Sequence, residues 1–115
     1  MNGVDVQING PDMVIVADGA MKAALFDVAE QALRDCNFYC KQDTGALIDS
    51  SVIHSDTDSA ELVWNMPYAE KQYYLPNTRT DANPHAVPRW CEVAESNHRA
   101  QWDAVFKNSL RRNGL

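Results

Sequence analysis

The chain has 115 residues and a net charge of −6, from sixteen acidic and ten basic residues. That length suits one domain with its own core, and 45% apolar with 23% charged residues excludes a disordered or collagen-like chain. The acidic balance argues against a protein that wraps DNA or coats a membrane. The longest uninterrupted apolar run, residues 13–17, is too short for a transmembrane helix.

The charge is unevenly divided along the chain. Residues 1–61 hold eleven acids and three bases, a net of −8, whereas residues 62–115 hold five acids and seven bases, a net of +2. An acidic half and a mildly basic half on one small domain would attract each other between copies in a head-to-tail ring. The alternative, a solvated surface without partners, accounts for most of these charges.

The N-terminal residues 1–17 are predicted to form strands or an arm. Residues 4–8 alternate apolar and polar side chains, the period of a half-buried strand, and residues 13–17 are rich in β-branched side chains. Residues 9–12 between them have turn chemistry. The chain is therefore predicted to open with a β-hairpin.

A long helix over about residues 19–41 is the strongest pattern in the sequence. Apolar side chains recur on one stripe at helical spacing, and Asp18 is a suitable N-cap. A helix of this length would run the full span of a domain of this size.

The three cysteines, Cys36, Cys40 and Cys91, are predicted to be reduced thiols that fill the core. An odd number excludes a closed disulfide framework, and a bridge between helical residues four apart would be strained. A zinc site that adds His85 and His98 is the weaker alternative, because only the first two cysteines approach the spacing of zinc ligands.

A short helical turn and a second hairpin follow the long helix. Residues 46–50 predict the turn, and residues 52–54 and 61–65 predict two strands joined by a polar loop at 56–59. Pro67 ends the second strand.

Residues 75–88 carry three of the five prolines and predict an irregular, proline-rich interface loop. Pro88 suits the first turn of a final helix over about residues 88–112. Trp90 and Trp102 lie on the apolar stripe of that helix and are predicted to anchor the core or an interface.

Asp43, Thr44 and Gly45 match the active-site signature of aspartic proteases, in which two copies bring two carboxylates together to share a proton. That chemistry needs a buried strand before the signature and a glycine-containing brace after it. Here a helical pattern precedes the signature, and the next glycine is Gly114. A helix stop followed by a capped turn is favoured instead. No nucleophile–base pair or phosphate loop stands out, so we predict no enzyme and no cofactor.

A cluster of aromatic residues in the second half of the chain predicts an interaction surface. The candidate interface residues are Tyr68, Tyr73, Tyr74, Arg79 and Arg89. Tyrosines stack on single-stranded nucleic acid and also anchor protein interfaces. The acidic net charge favours a protein partner.

Four motifs in a fixed order carry a family resemblance from residue 38 onward. They are Asp43-Thr44-Gly45-Ala46-Leu47, Trp64-Asn65-Met66-Pro67-Tyr68-Ala69, Gln72-Tyr73-Tyr74 and Asn83-Pro84-His85-Ala86-Val87-Pro88-Arg89-Trp90. With these motifs the chain resembles the small minor capsid proteins of tailed phages, related to the tail-completion or head–tail joining group of the neck. The family often has a basic residue where Ile48 stands here.

The resemblance implies a single α+β domain over residues 1–115, with an antiparallel sheet of three to four strands packed against two long helices. It also implies a structural role in the virion, after synthesis in the bacterial host cytoplasm. Copies would form a ring in the neck, between the head and portal complex and the tail, beside other neck and tail proteins. We infer six copies, because the tail tube is generally sixfold.

Genomic DNA would pass through an acidic lumen without specific binding, because like charge removes the gain from counterion release. No membrane partner, metal or cofactor is implied. Two alternatives remain at this point: a soluble protein-binding module that pairs through the surface from Tyr68 to Tyr74, and the homodimeric aspartic protease.

Overall fold

Four helices and an antiparallel sheet form the part of the chain that the structure, a computed structural model, describes. That part comprises residues 4–9, 18–42, 45–55, 59–76, 78 and 80–113. The elements are β1 (Val4–Asn9), α1 (Asp18–Phe38), α2 (Ala46–Asp49), β2 (Ser51–Ser55), β3 (Ser59–Trp64), α3 (Ala69–Tyr74) and α4 (Trp90–Arg112). Both long helices, the short helical turn and the second hairpin are thus confirmed.

Strand β3 is the centre of the sheet, whose order is β1-β3-β2 with antiparallel neighbours. Because side chains alternate along a strand, Ala60, Leu62 and Trp64 share one face, and all three are buried in one cluster with Ala32 and Cys36 of α1. The opposite face of β3 carries Ser59, Glu61 and Val63, of which only Val63 is buried. The sheet therefore packs one face on α1.

Helices α1 and α4 pack on each other along most of their length. Hydrogen bonds and an ion pair from α4 to two half-buried carboxylates of α1 hold the two helices together. The indole N–H of Trp102 donates to Asp35 Oδ2 over 2.6 Å, and Ser109 Oγ donates to Asp27 Oδ2, also over 2.6 Å. Arg112 adds an ion pair of 2.8 Å to the same Asp27 carboxylate. The contact between α1 and α4 is therefore polar on one side and apolar on the side that faces the core.

The end of α1 is set by a side chain from the proline-rich loop. Asn83 Nδ2 donates to the backbone carbonyls of Phe38, over 3.0 Å, and Cys40, over 2.8 Å. These are carbonyls at the helix terminus that have no partner within the helix. The predicted helix over 19–41 thus ends at Phe38.

The predicted sheet of three to four strands packed against two long helices is wrong as a description of the architecture, although the α+β class holds. Strand β1 pairs with β3. Residues 13–17, the hairpin partner predicted for it, lie outside the described residues. The body of the sheet is the two-stranded β2–β3 hairpin, and β1 pairs with the other edge of β3.

The helical layer also needs correction. Besides the two long helices and the predicted short turn, α2, the described residues form one more helix, α3. The sheet packs mainly on α1, while α4 packs on α1 and not on the sheet as a second equal helix. The physical reason is the composition of α4, whose buried apolar side chains, Trp90, Cys91 and Ala94, all lie at its start, whereas the buried residue near its end is the polar Ser109. Its later turns offer half-buried and polar side chains, which suit one neighbouring helix.

Candidate interaction surface

A groove lies on and before helix α3, where the chain leaves the central strand. Its volume is about 680 Å³, and its lining residues are Pro67, Tyr68, Glu70, Lys71, Tyr74 and Leu75; we call it the tyrosine groove. Tyr68 is 41% exposed and Tyr74 is 56% exposed. Two of the predicted interface tyrosines are therefore brought together with their rings accessible.

Tyr73, a third predicted interface residue, lies beneath the groove and is buried. Its ring packs edge-on against Tyr74, with centroids 5.0 Å apart, and against Trp90, with centroids 4.7 Å apart. Burial raises the pKa of the Tyr73 hydroxyl, so the ring stays neutral. Tyr73 supports the surface from the core and does not itself face outward.

Arg89 borders the groove in an unusual conformation. It is the residue just before α4 and lies in the left-handed region, with φ 53° and ψ 49°. Its backbone N–H donates to the Tyr73 carbonyl over 2.7 Å. Its guanidinium lies over the Tyr74 ring, 5.3 Å from the centroid, and Arg89 Nη1 is 3.6 Å from Glu92 Oε2.

This geometry corrects the start of the last helix. The sequence predicts a helix from Pro88, but α4 begins at Trp90, because the left-handed backbone of Arg89 interrupts helical geometry. Pro88 precedes that turn. Arg79, the other arginine predicted at the interface, lies outside the described residues.

The proline-rich loop is anchored to the end of α1 by Asn83, a residue that the sequence does not predict to have this role. Asn83 is buried and its carboxamide binds the end of α1, while its Oδ1 accepts the backbone N–H of His85 over 3.0 Å. The N–H of Val87 donates to the carbonyl of Tyr39 over 3.0 Å. The signal in the sequence is an Asn directly before a proline, a common turn-forming pair.

A second exposed aromatic patch lies at the end of α1. Phe38 is 49% exposed, and the His85 ring stacks on it with centroids 4.3 Å apart. His98 is separate from this pair and bonds to the Tyr39 hydroxyl over 3.2 Å. The structure thus does not bring His85 and His98 together with the thiols.

The three cysteines are free and buried, which confirms them as thiols of the core. Burial, and to a smaller extent the nearby Cys36 thiol, raises the pKa of Cys40 to about 12. A hydrogen bond with Cys36, followed by burial, raises the pKa of Cys91 well above its usual range. Among the described residues, no group of three or more His, Cys, Asp or Glu side chains is placed to hold a metal ion.

The segment around the predicted protease signature follows a helix. Asp43 and Thr44 lie outside the described residues, and Gly45 has a φ of 87°, which glycine adopts without strain, at the start of α2. Just before them, Lys41 is buried and its Nζ donates to the Leu75 carbonyl over 2.6 Å. Burial lowers the pKa of Lys41. The described residues directly before Asp43 are helix α1 and an irregular segment over 39–42, and not the strand that a protease loop requires.

The two predicted tryptophan anchors differ in role. Trp90 is fully buried and meets Trp64 and Tyr73 edge-on. Trp102 is half-buried and ties α4 to α1 through Asp35. Both are structural residues of the domain.

The fold is a small α+β unit with large exposed apolar or aromatic side chains on α1, on β2 and on or directly before α3. The family of minor capsid proteins matches the chain over residues 4–110. The chain belongs to that family, and it is a structural protein of the phage virion.

No curated protein and no solved structure matches the chain. None of the described helices has the length and apolarity needed to cross a membrane.

Proposed function

We propose that the protein forms a ring of six copies in the neck of the virion, where it joins the head and portal complex to the tail. The observation that carries the proposal is the match to the minor capsid protein family over residues 4–110, together with exposed aromatic side chains on more than one surface. A ring subunit contacts a neighbour on each side, and such contacts need more than one patch.

Two patches of this kind are available on the domain. One is the tyrosine groove, with Tyr68 and Tyr74, and the other is the stacked pair of Phe38 and His85. They lie on different elements, α3 and the end of α1 with the proline-rich loop. Tyrosine and other aromatic residues are enriched at protein interfaces.

The dimensions of the domain suit a six-membered ring around DNA. The backbone spans 45 × 26 × 20 Å. Six copies that touch across the 26 Å dimension have their centres about 26 Å from the axis, because the side of a regular hexagon equals its radius. With the 20 Å dimension radial, the bore between backbones is about 32 Å, wide enough for a duplex after side chains are added.

The charge of the chain supports passage of DNA through that bore. Residues 1–61 have a net charge of −8. We propose that acidic residues of this half line the channel, where like charge lets DNA slide without binding. A basic bore in a map of the assembled ring would end this part of the proposal.

The direct test is a phage with a nonsense mutation in the gene, grown in suppressing and non-suppressing hosts. We expect the non-suppressing host to yield filled heads and complete tails that are not joined, and supply of the protein in trans to restore joined particles. Joined, infectious particles that lack the protein would refute the proposal.

A further inference from the structure

We propose that the tyrosine groove and Arg89 together form the docking site for a second copy of this chain, which places a carboxylate of its acidic N-terminal half against the Arg89 guanidinium. The inference rests on the proposed ring and names the surface through which neighbours join. It assigns Tyr68 and Tyr74 to the apolar contact and Arg89 to the charged contact.

The groove is held rigid from below, as a docking site should be. The ring of Tyr73, buried in the core, packs against Tyr74. At the other end, the carbonyl of Leu75 accepts a hydrogen bond of 2.6 Å from Lys41 Nζ. A surface already ordered in the free protein loses little conformational entropy when a partner binds.

The backbone of Arg89 shows that its side chain is retained at a cost to the domain. The residue has a φ of 53°, where a non-glycine residue is strained by about 1–2 kcal/mol and glycine is not. Glycine would keep the backbone hydrogen bond to Tyr73 and relieve the strain. A residue that strains the fold at an exposed position points to a function outside the fold.

The contacts of Arg89 within the chain do not account for this cost. The ion pair with Glu92 is 3.6 Å long, and both side chains are more than half exposed, which makes it weak. It engages one nitrogen of a guanidinium that has five N–H donors. The guanidinium lies over the Tyr74 ring, 5.3 Å from its centroid, and a planar guanidinium is suited to bind a carboxylate through two parallel hydrogen bonds.

Charge complementarity identifies the occupant as a second copy. Arg89 and Lys71 belong to the half with a net charge of +2, whereas residues 1–61 have a net charge of −8. Asp27 and Asp35 of that half bind α4, but Glu30 and Asp49 are exposed. A contact between unlike surfaces of identical copies repeats head to tail and closes into a ring.

The test is sedimentation equilibrium of the purified full chain at low and high salt. The variants are Arg89→Gly, Arg89→Lys and Tyr74→Ala, with Arg99→Ala as the control, because Arg99 is an exposed arginine elsewhere on α4. We expect the wild type to self-associate and salt to weaken the association. Arg89→Gly and Tyr74→Ala should weaken it about thirtyfold, the effect of losing an interface hot spot. Arg89→Lys should weaken it less, and Arg99→Ala should leave it unchanged.

Thermal unfolding of Arg89→Gly separates docking from a role within the fold. It is measured at a protein concentration at which the wild type is monomeric, so that loss of association does not itself lower the midpoint. We then expect the unfolding midpoint of the variant to equal or exceed that of the wild type, because strain is relieved. A lowered midpoint would show that Arg89 is a structural residue and would overturn the proposal. A wild-type chain that stays monomeric, or an Arg89→Gly variant that associates like the wild type, would also overturn it.

The outcome for this site is distinct from the outcome for the neck ring. Association that survives Arg89→Gly would place the contact on another surface and leave the ring standing. Normal joining of heads and tails without the protein would remove the ring, whatever the chain does in solution.

Discussion

Replacement of Trp90 by alanine is the change to which the fold should be most sensitive. Trp90 is fully buried at the start of α4, and its indole meets the rings of Tyr73 and Trp64 edge-on, with centroid distances of 4.7 and 6.0 Å. It therefore joins the last helix, α3 and the central strand in one cluster. Alanine would leave a cavity between all three.

The expected loss of unfolding free energy is about 4 kcal/mol. Truncation of a buried tryptophan to alanine costs about 3–5 kcal/mol, which includes the cavity left behind. Each edge-to-face pair contributes about 0.5–1.5 kcal/mol of that total. For a chain of 115 residues, this loss lowers the thermal midpoint by about 15 °C. Domains of this size have about 5–15 kcal/mol in all, so the variant is close to unfolding.

Trp90→Phe is the matched control. Among the described residues, none accepts a hydrogen bond from the indole N–H of Trp90, so phenylalanine removes volume but no hydrogen bond. We expect it to cost about 1–2 kcal/mol. Urea denaturation followed by far-ultraviolet circular dichroism measures both variants without relying on tryptophan fluorescence. A Trp90→Ala variant whose unfolding free energy is within about 1 kcal/mol of the wild type would refute the assignment of Trp90 to the core.

Three further changes test other parts of the structure. Folding raises the pKa of the Cys40 and Cys91 thiols, so above about pH 9 these thiols lose their protons in the unfolded chain but not in the folded one. Urea denaturation should therefore show about 2 kcal/mol less stability at pH 10 than at pH 8. Burial lowers the pKa of Lys41, which offsets part of this loss of stability. Cys40→Ala should reduce the loss by about half, whereas a stability that does not change with pH would contradict the burial of these thiols. Asn37→Ala removes the acceptor that lies 2.9 Å from the indole nitrogen of Trp64, and we expect it to lower the unfolding free energy by about 2–3 kcal/mol in the same assay. A loss below about 0.5 kcal/mol would contradict a stabilising role for this hydrogen bond. Gly45→Ala meets no atom closer than 3.8 Å but must adopt a φ of 87°, so we expect a loss of about 1–2 kcal/mol from backbone strain, and an unchanged midpoint would argue against that turn.

The elements with local signals were predictable from the sequence. Periodic apolar residues gave α1 and α4, and alternation with a polar turn gave the β2–β3 hairpin. The partner of β1 was not predictable in this way, because its pairing with β3 joins residues from Val4↔Trp64 to Asn9↔Ser59, which are far apart in the chain, and no local pattern encodes it. Helix α3, with six residues, is too short to show a period.

The tyrosine groove was also only partly predictable, because some of its features depend on contacts between residues that are distant in the chain. Tyr68 and Tyr74 were correctly seen as exposed aromatic residues, but whether Tyr73 between them points inward depends on the packing of Trp90 against α3. The strain at Arg89 and the anchoring by Asn83 are properties of the folded backbone. Such features arise where the chain departs from regular structure, and they cannot be read from composition.

A high-resolution electron cryomicroscopy map of the virion neck tests the central claim, that this chain exists to hold other protein chains together. We expect density for six copies arranged around the DNA channel, with Tyr68, Tyr74 and Arg89 of each copy covered by the acidic half of the next. A neck without this chain, or copies whose tyrosine grooves all face solvent, would contradict the account.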